Sequence, residues 1–280
     1  MNPFASRATL LAPPYVDRRR VAVPWVLFGC AFLTQTAFPF TDGGTRALTT
    51  ASVLLLTAAA VAHVVTSRGT RPAVILVVVA GGGGLLAETV GVHTGFPFGT
   101  YEYTGSLGLQ VFGVPALVPL AWTMMAWPAL AAARQLVGAH RLVTPLVGAW
   151  ALTAWDVFLD PQMVDQGHWR WSYPQPALPG VEGIPLTNFA GWFVVSAIMI
   201  TLLDRLIPAA PEHPSDADSW GGATDLLPVA VYLWTYLSSV IAHAAFFGRP
   251  PVALVGGLVM GVVAVPLAVT VMRGATRAQR

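Results

Sequence analysis

Lysine is absent from this chain, cysteine occurs once, and only 10% of the residues are charged. Each shortage removes a class of chemistry. Without lysine, no Schiff base can form on a side-chain amine. The lone Cys30 permits no intrachain disulfide and no multi-thiolate metal site. No HxxxH or HxxE spacing occurs among the histidines, so neither a zinc nor a di-iron centre is expected. Polar residues are too few to cover the surface of a soluble domain of this length, since 55% of the chain is hydrophobic.

Long apolar runs fill the space that charge leaves. Eight are long enough to cross a ~30 Å hydrocarbon core: roughly 22–40, 45–66, 72–93, 113–137, 141–160, 186–207, 225–248 and 251–272. Their lack of strict alternation selects helices over a barrel, so the expected fold is an all-α integral membrane protein. All fifteen basic residues are arginine. Threading eight spans places twelve of them on one side and only Arg46, Arg170 and Arg249 on the other. That bias puts the protein in the cell membrane as a multi-pass chain with both termini cytoplasmic. The net charge of +2 then reports topology and not nucleic-acid binding. Arg18–Arg20 before the first run reads as the flank of a retained signal anchor.

The expected organisation is a single membrane domain over 22–272, with cytoplasmic segments at 1–21 and 273–280. An acidic, proline-rich cytoplasmic connector occupies 208–224, with Glu212, Asp216 and Asp218. Gly81–Gly84 in the third run has no following Lys, Ser or Thr, and reads as a close-packing surface for a neighbouring helix.

The polar residues are concentrated in a unit that occurs twice. Glu88 is followed by Tyr101-Glu102-Tyr103, and Asp156 by Trp169-Arg170-Trp171 at the same spacing. Each triplet follows a glycine (Gly99, Gly167), and each loop closes on Gly-apolar-Pro (Gly113–Pro115, Gly183–Pro185). A tryptophan then follows in each unit, Trp122 and Trp192. The unit is a helical hairpin with a long extracytoplasmic loop, over about 72–137 and again over 141–207. Both hairpins run in the same direction, so they form parallel repeats about an axis along the membrane normal, which sets Glu88 opposite Asp156.

A carboxylate inside an apolar helix costs about 3 kcal/mol to insert, which points to use. Glu88, Asp156 and Asp160 qualify. Asp156 and Asp160 stand at i and i+4, on one helix face, where two carboxyls in a low dielectric share a proton more readily than both ionise. The plainer readings are that Asp160 ends a helix before Pro161, and that Glu88 pairs with Arg170 or a backbone N–H. Tyr101, Tyr103, Trp122, Trp155, Trp169, Trp171, Tyr173 and Trp192 surround these acids in the sequence. Such rings can line a polyene pocket and stabilise a carbocation through their negative faces, or belong to an interfacial belt, the reading preferred for Trp25, Trp220 and Tyr173. Asn188 can hold a water or cap a helix.

Taken together, Glu88-Thr89-x-Gly91, Gly95-x-Pro97-Phe98-Gly99-x-Tyr101-x-Tyr103, Gly113-Val114-Pro115 with Pro119-x-x-Trp122, Asp156-x-x-x-Asp160-Pro161, Gly167-x-Trp169-x-Trp171 and Gly183-x-Pro185-x-x-Asn188-x-x-Gly191-Trp192 resemble the CruF-type family of membrane carotenoid hydratases. The resemblance covers about 72–207; the flanking runs match in hydropathy alone. It implies water addition to the terminal double bond of an acyclic carotenoid without a redox cofactor. Its expected partners are the carotenoid, membrane lipid and other carotenoid-forming enzymes. The chemistry suits the residues: an acid from the Asp156/Asp160 pair, Glu88 to orient water or accept its proton, and the rings and Asn188 around the end group.

Three other functions use the same residues. A membrane prenyltransferase would hold Mg²⁺-diphosphate on Asp156 and Asp160, but lacks a second Asp cluster and the basic residues phosphates need. A carotenoid end-group cyclase also combines acid with aromatic faces, and ends in proton loss in place of water capture. A proton-coupled transporter would explain buried carboxylates in repeated hairpins.

Overall fold

The computed structural model describes residues 18–41, 44–209 and 225–278. Most of the 208–224 connector, including Glu212, Asp216 and Asp218, therefore lies outside the described residues, as does Trp220. The chain is a helical bundle. Its helices are α1 (Arg18–Thr36), α2 (Arg46–Arg68), α3 (Thr70–Leu76), α4 (Gly83–Thr94), α5 (Leu117–Val137), α6 (Val143–Asp165), α7 (Leu186–Leu206), α8 (Leu226–Ile241) and α9 (Pro250–Ala278). A π-helical stretch, Val77–Gly82, joins α3 to α4 without a break, and a second, Ala242–Phe246, extends α8. Local signals set the ends. Thr45 caps α2 through its hydroxyl, which accepts from the Leu48 N–H at 3.2 Å. Gly95 ends α4 in the left-handed region, φ 77°, with its N–H on the Gly91 carbonyl.

Among the described residues, six helices are long and apolar enough to cross a membrane: Ala22–Phe40, Arg46–Arg68, Thr70–Thr94, Leu186–Leu206, Leu226–Phe246 and Pro250–Thr276. The protein is thus a multi-pass membrane protein. Helices α5 and α6 are as long but miss that apolar standard, and packing explains why. They form the middle of the bundle: α5 contacts α2, α4, α6, α7, α8 and α9, while α6 contacts α5, α7, α8 and α9. Surrounded by protein, they can carry tryptophan, threonine and aspartate, whereas lipid-facing positions cannot. The outer helices instead expose large apolar side chains such as Val78, Leu86, Ile198, Leu258 and Val262.

The glycine run behaves as a packing surface. A Cβ on Gly84 would stand 2.6 Å from the Trp122 ring, and one on Gly81 would stand 2.8 Å from Thr123 Oγ1, so α4 and its π-helical lead-in lie directly on α5. At the opposite end of the bundle, two partly buried ion pairs tie helices together. Arg68 meets Asp225 at 2.6 Å, and Arg134 meets Asp204 at 2.8 Å while also donating to the Ile207 carbonyl at the end of α7.

The all-α expectation needs one amendment, in the loops. Three short antiparallel strand pairs form there: β1 (Tyr101–Tyr103) with β4 (Trp169–Trp171), β2 (Gln110–Val111) with β3 (Val114–Pro115), and β5 (Ala177–Leu178) with β6 (Val181–Pro185). The first joins the two repeats. Tyr101 stands opposite Trp171, Glu102 opposite Arg170 and Tyr103 opposite Trp169. Antiparallel pairing of equivalent segments is what a two-fold axis through the pair produces, with Glu102 and Arg170 nearest the axis.

Candidate functional site

Beneath this strand pair lies a chamber of about 80 Å³. Both repeats contribute to it. Glu88 descends from α4, Trp122 from α5, Trp155 and Asp160 from α6, and Asn188 and Trp192 from α7, with Tyr101, Tyr103, Trp169 and Trp171 closing it from above. Glu88 is 4% exposed and Asp160 3%. Of the expected site residues, only Asp156 does not line the chamber; it is wholly buried behind it.

Glu88 accepts three hydrogen bonds. Tyr101 Oη donates to Oε2 at 2.5 Å, Tyr103 Oη to the same oxygen at 2.9 Å, and Trp122 Nε1 to Oε1 at 3.2 Å. The expected alternative partner, Arg170, is elsewhere: it pairs with Glu102 at 2.6 Å on the exposed rim. Burial, reinforced by the charge of Glu88, pushes the Tyr101 and Tyr103 phenols up from their ordinary range, so both stay protonated donors.

The second acid group is built around Asn188. Its amide donates to Asp156 Oδ2 at 2.9 Å and to Asp160 Oδ2 at 2.5 Å. The residue is therefore a bridge between carboxyls, and Pro185, not Asn188, stands at the N-cap of α7. Trp169 Nε1 donates to Asp160 Oδ1 at 3.1 Å. The second oxygen of Asp156, Oδ1, is buried and has no protein partner.

One correspondence differs from the sequence reading. Spacing along the chain pairs Glu88 with Asp156, yet in space Asp160 is the counterpart of Glu88. Each receives a hydrogen bond from the first ring of its own repeat's triplet, Tyr101 or Trp169. The reason is Pro161. The helix does not stop before it but runs on to Asp165, so Asp160 sits as close to the end of α6 as Glu88 does to the end of α4 at Thr94.

The rings are held face to face or edge to face. Trp122 and Trp192, equivalent in the two repeats, stack at 3.9 Å with 13° between planes. Trp155 meets Trp192 edge-on at 6.2 Å, Tyr103 meets Trp169 edge-on at 5.6 Å, and Tyr101 lies tilted over Trp171 at 5.7 Å. Tyr173, by contrast, is 75% exposed and stands apart, as a belt residue does.

Several lining residues escaped the sequence reading. Phe98 is buried in the wall, and its carbonyl accepts from Trp171 Nε1 at 3.0 Å. Gly191 makes that loop seat possible, because a Cβ there would fall 2.6 Å from the Pro97 carbonyl oxygen. Both stand in the motifs that carry the family resemblance, where neither was given a role. Thr49 and Val53 come from α2 and Met124 and Met163 from α5 and α6, with no motif to mark them. Among the described residues, no three His, Cys, Asp or Glu side chains are gathered as a metal-binding set.

The fold is a helical membrane bundle, and its buried acids, donors and stacked rings meet in one mostly apolar chamber. Residues 49–264 match the carotenoid biosynthesis protein family, and the chain belongs to it. The match reaches well past 72–207, into the helices that flank the repeats. The chain is similar to the bisanhydrobacterioruberin hydratase of Haloarcula japonica, 31% identical over 124 residues. That stretch is 42% of this chain and covers 40% of the relative's length. No solved structure matches the chain.

Proposed function

We propose that this protein is a carotenoid hydratase, adding water to the terminal C=C of an acyclic carotenoid end group. The observation that carries the reading is the joint exposure of Glu88 and Asp160 to one aromatic chamber, with Asp156 tied behind Asp160 through Asn188. The name of the Haloarcula japonica relative supports the same chemistry.

The residues divide the work as follows. Asp156 and Asp160 both accept from the Asn188 amide nitrogen, which holds the two carboxyls side by side. Contact between two carboxyls is attractive when one carries a proton, so the pair is the proton source. Asp160, the member that lines the chamber, passes that proton to the less substituted alkene carbon, forming a C–H bond and leaving a tertiary cation. The faces of Trp122, Trp192 and Trp155 stabilise the positive charge. Water adds to the cation, forming the C–O bond, and its extra proton passes to Glu88. Three donors already serve Glu88, so what remains for it is to accept. The proton returns from Glu88 to Asp160 through chamber water, and the net change is one water added.

The same reading sets the protein in the membrane. All eight long helical segments span it, α5 and α6 included, as one domain over 22–272. Both termini and the 208–224 connector are cytoplasmic, and the chamber opens near the outer face. Lipid and other carotenoid-forming enzymes are its natural surroundings, and no cofactor takes part. The test is expression in a host that makes an acyclic carotenoid. Pigment should gain the mass of one water per modified end. Unchanged mass with a ring spectrum would replace hydration by cyclisation, and unmodified pigment would remove the reading.

A further inference from the structure

The acid chamber is too small for more than the end of a chain, at about 80 Å³, but it does not stand alone. A second cavity, about 460 Å³, lies beside it between α1, α2, α5, α6 and α8. Six residues line both: Thr49, Val53, Met124, Trp155, Leu159 and Met163. The common wall is therefore mostly apolar, and two of its members are flexible methionines that can shift to pass a rod-like ligand. The larger cavity extends from Phe38–Phe40 and Phe246 at the outer end to Leu56 and Met125 in the interior.

Its far side is a seam between α1 and α8. Helix α1 is the least enclosed candidate span, with 11% of its window buried. What closes the seam is Trp234. Its Nε1 donates to Gln35 Oε1 at 2.6 Å, and its ring packs on Phe32 at 4.2 Å. Both Trp234 and Gln35 also line the cavity. Trp234 and Gln35 thus join α1 to α8 along this side of the cavity.

We infer that the larger cavity is the channel for the polyene of the substrate, entered sideways from the bilayer through the Trp234–Gln35 seam between α1 and α8. The inference rests on the proposed hydratase reading. A ligand whose end reaches Asp160 must continue across the shared wall, because the chamber holds nothing longer. An extended carotenoid is about one bilayer thickness long, so the remainder of the chain passes the seam and lies in lipid. Such a channel admits one end at a time. A symmetric carotenoid is then modified at its second end only after leaving and re-entering.

The channel also has a polar edge. Thr49 Oγ1, Ser52 Oγ and His243 Nδ1 line the cavity and have no protein partner. Thr49 and Ser52 are one turn apart on α2, and Thr49 reaches the chamber too. Water on this edge would satisfy them and supply the second reactant.

Pigment retained on the purified protein tests the channel without relying on turnover. Ser52→Phe and Thr235→Phe fill the large cavity and leave the chamber walls untouched. Bound carotenoid should fall roughly tenfold or more in both, while Asp160→Asn should keep it. A short acyclic isoprenoid with the same end group needs only the chamber, and Thr235→Phe, which leaves the Thr49–Ser52 edge intact, should still hydrate it. Trp234→Ala, which adds no bulk, should speed exchange of bound pigment with lipid vesicles. Full pigment on the Phe variants, or unchanged exchange for Trp234→Ala, would overturn the channel and leave the acid site standing. Wild-type protein that neither binds nor hydrates carotenoid would remove the functional reading, and the channel with it.

Discussion

Asp156 and Asp160 show what a sequence can and cannot tell at the scale of a residue. Both were visible as candidate acids, since carboxylates in apolar helices are costly to keep. Their shared face was visible too, and Asn188 bridges it. Which of the two meets the chamber was not. That depends on the helix continuing through Pro161, and a proline beside an expected interface reads locally as an end. Asp160→Asn keeps the volume and removes the transferable proton, so product formation should drop by at least ~100-fold while carotenoid still co-purifies. Asp156→Asn should slow the reaction less, because the chamber-lining acid remains. If Asp156→Asn were the more damaging, the assignment within the pair would reverse. Thr49→Val is a separate test of the water edge: it should slow hydration with no loss of bound pigment.

At the scale of an element, the repeated triplets announced a symmetry but not how it is used. Their pairing as β1 and β4 comes from two loops far apart in sequence, and each triplet is too short to declare itself a strand. The glycines were more legible. Gly84 lies under Trp122, and any side chain there displaces the ring that donates to Glu88 and stacks on Trp192. Gly84→Ala should therefore cost about 1–3 kcal/mol, the range for overpacking a close contact, read as a lowered unfolding midpoint in detergent. The rim pair is the contrasting case. Glu102 and Arg170 have side chains 58% and 74% exposed, so removing the pair should leave that midpoint nearly unchanged.

For the whole molecule, hydropathy located every long helix among the described residues, because lipid contact writes itself into composition. It did so least clearly for α5 and α6, whose neighbours are protein, and these two carry Trp122, Trp155, Asp156 and Asp160. The cavity beside them was not legible, since it depends on how α1 and α8 lean on α2 and α5. Orientation is a further property of the whole. In the proposed orientation, drawn from the arginine bias, the loops at 94–112 and 161–185 lie outside. Ser106 is exposed within the first of them, and Cys30 is the lone native thiol, so a Cys30→Ala, Ser106→Cys chain offers one reporter. An impermeant thiol reagent should label it in intact cells from the outer side. The chamber under the β1–β4 pair would then sit near the outer interface, and water for the reaction would come from that side. Labelling confined to inverted vesicles would turn the molecule over, and would place the acids near the cytoplasmic face instead.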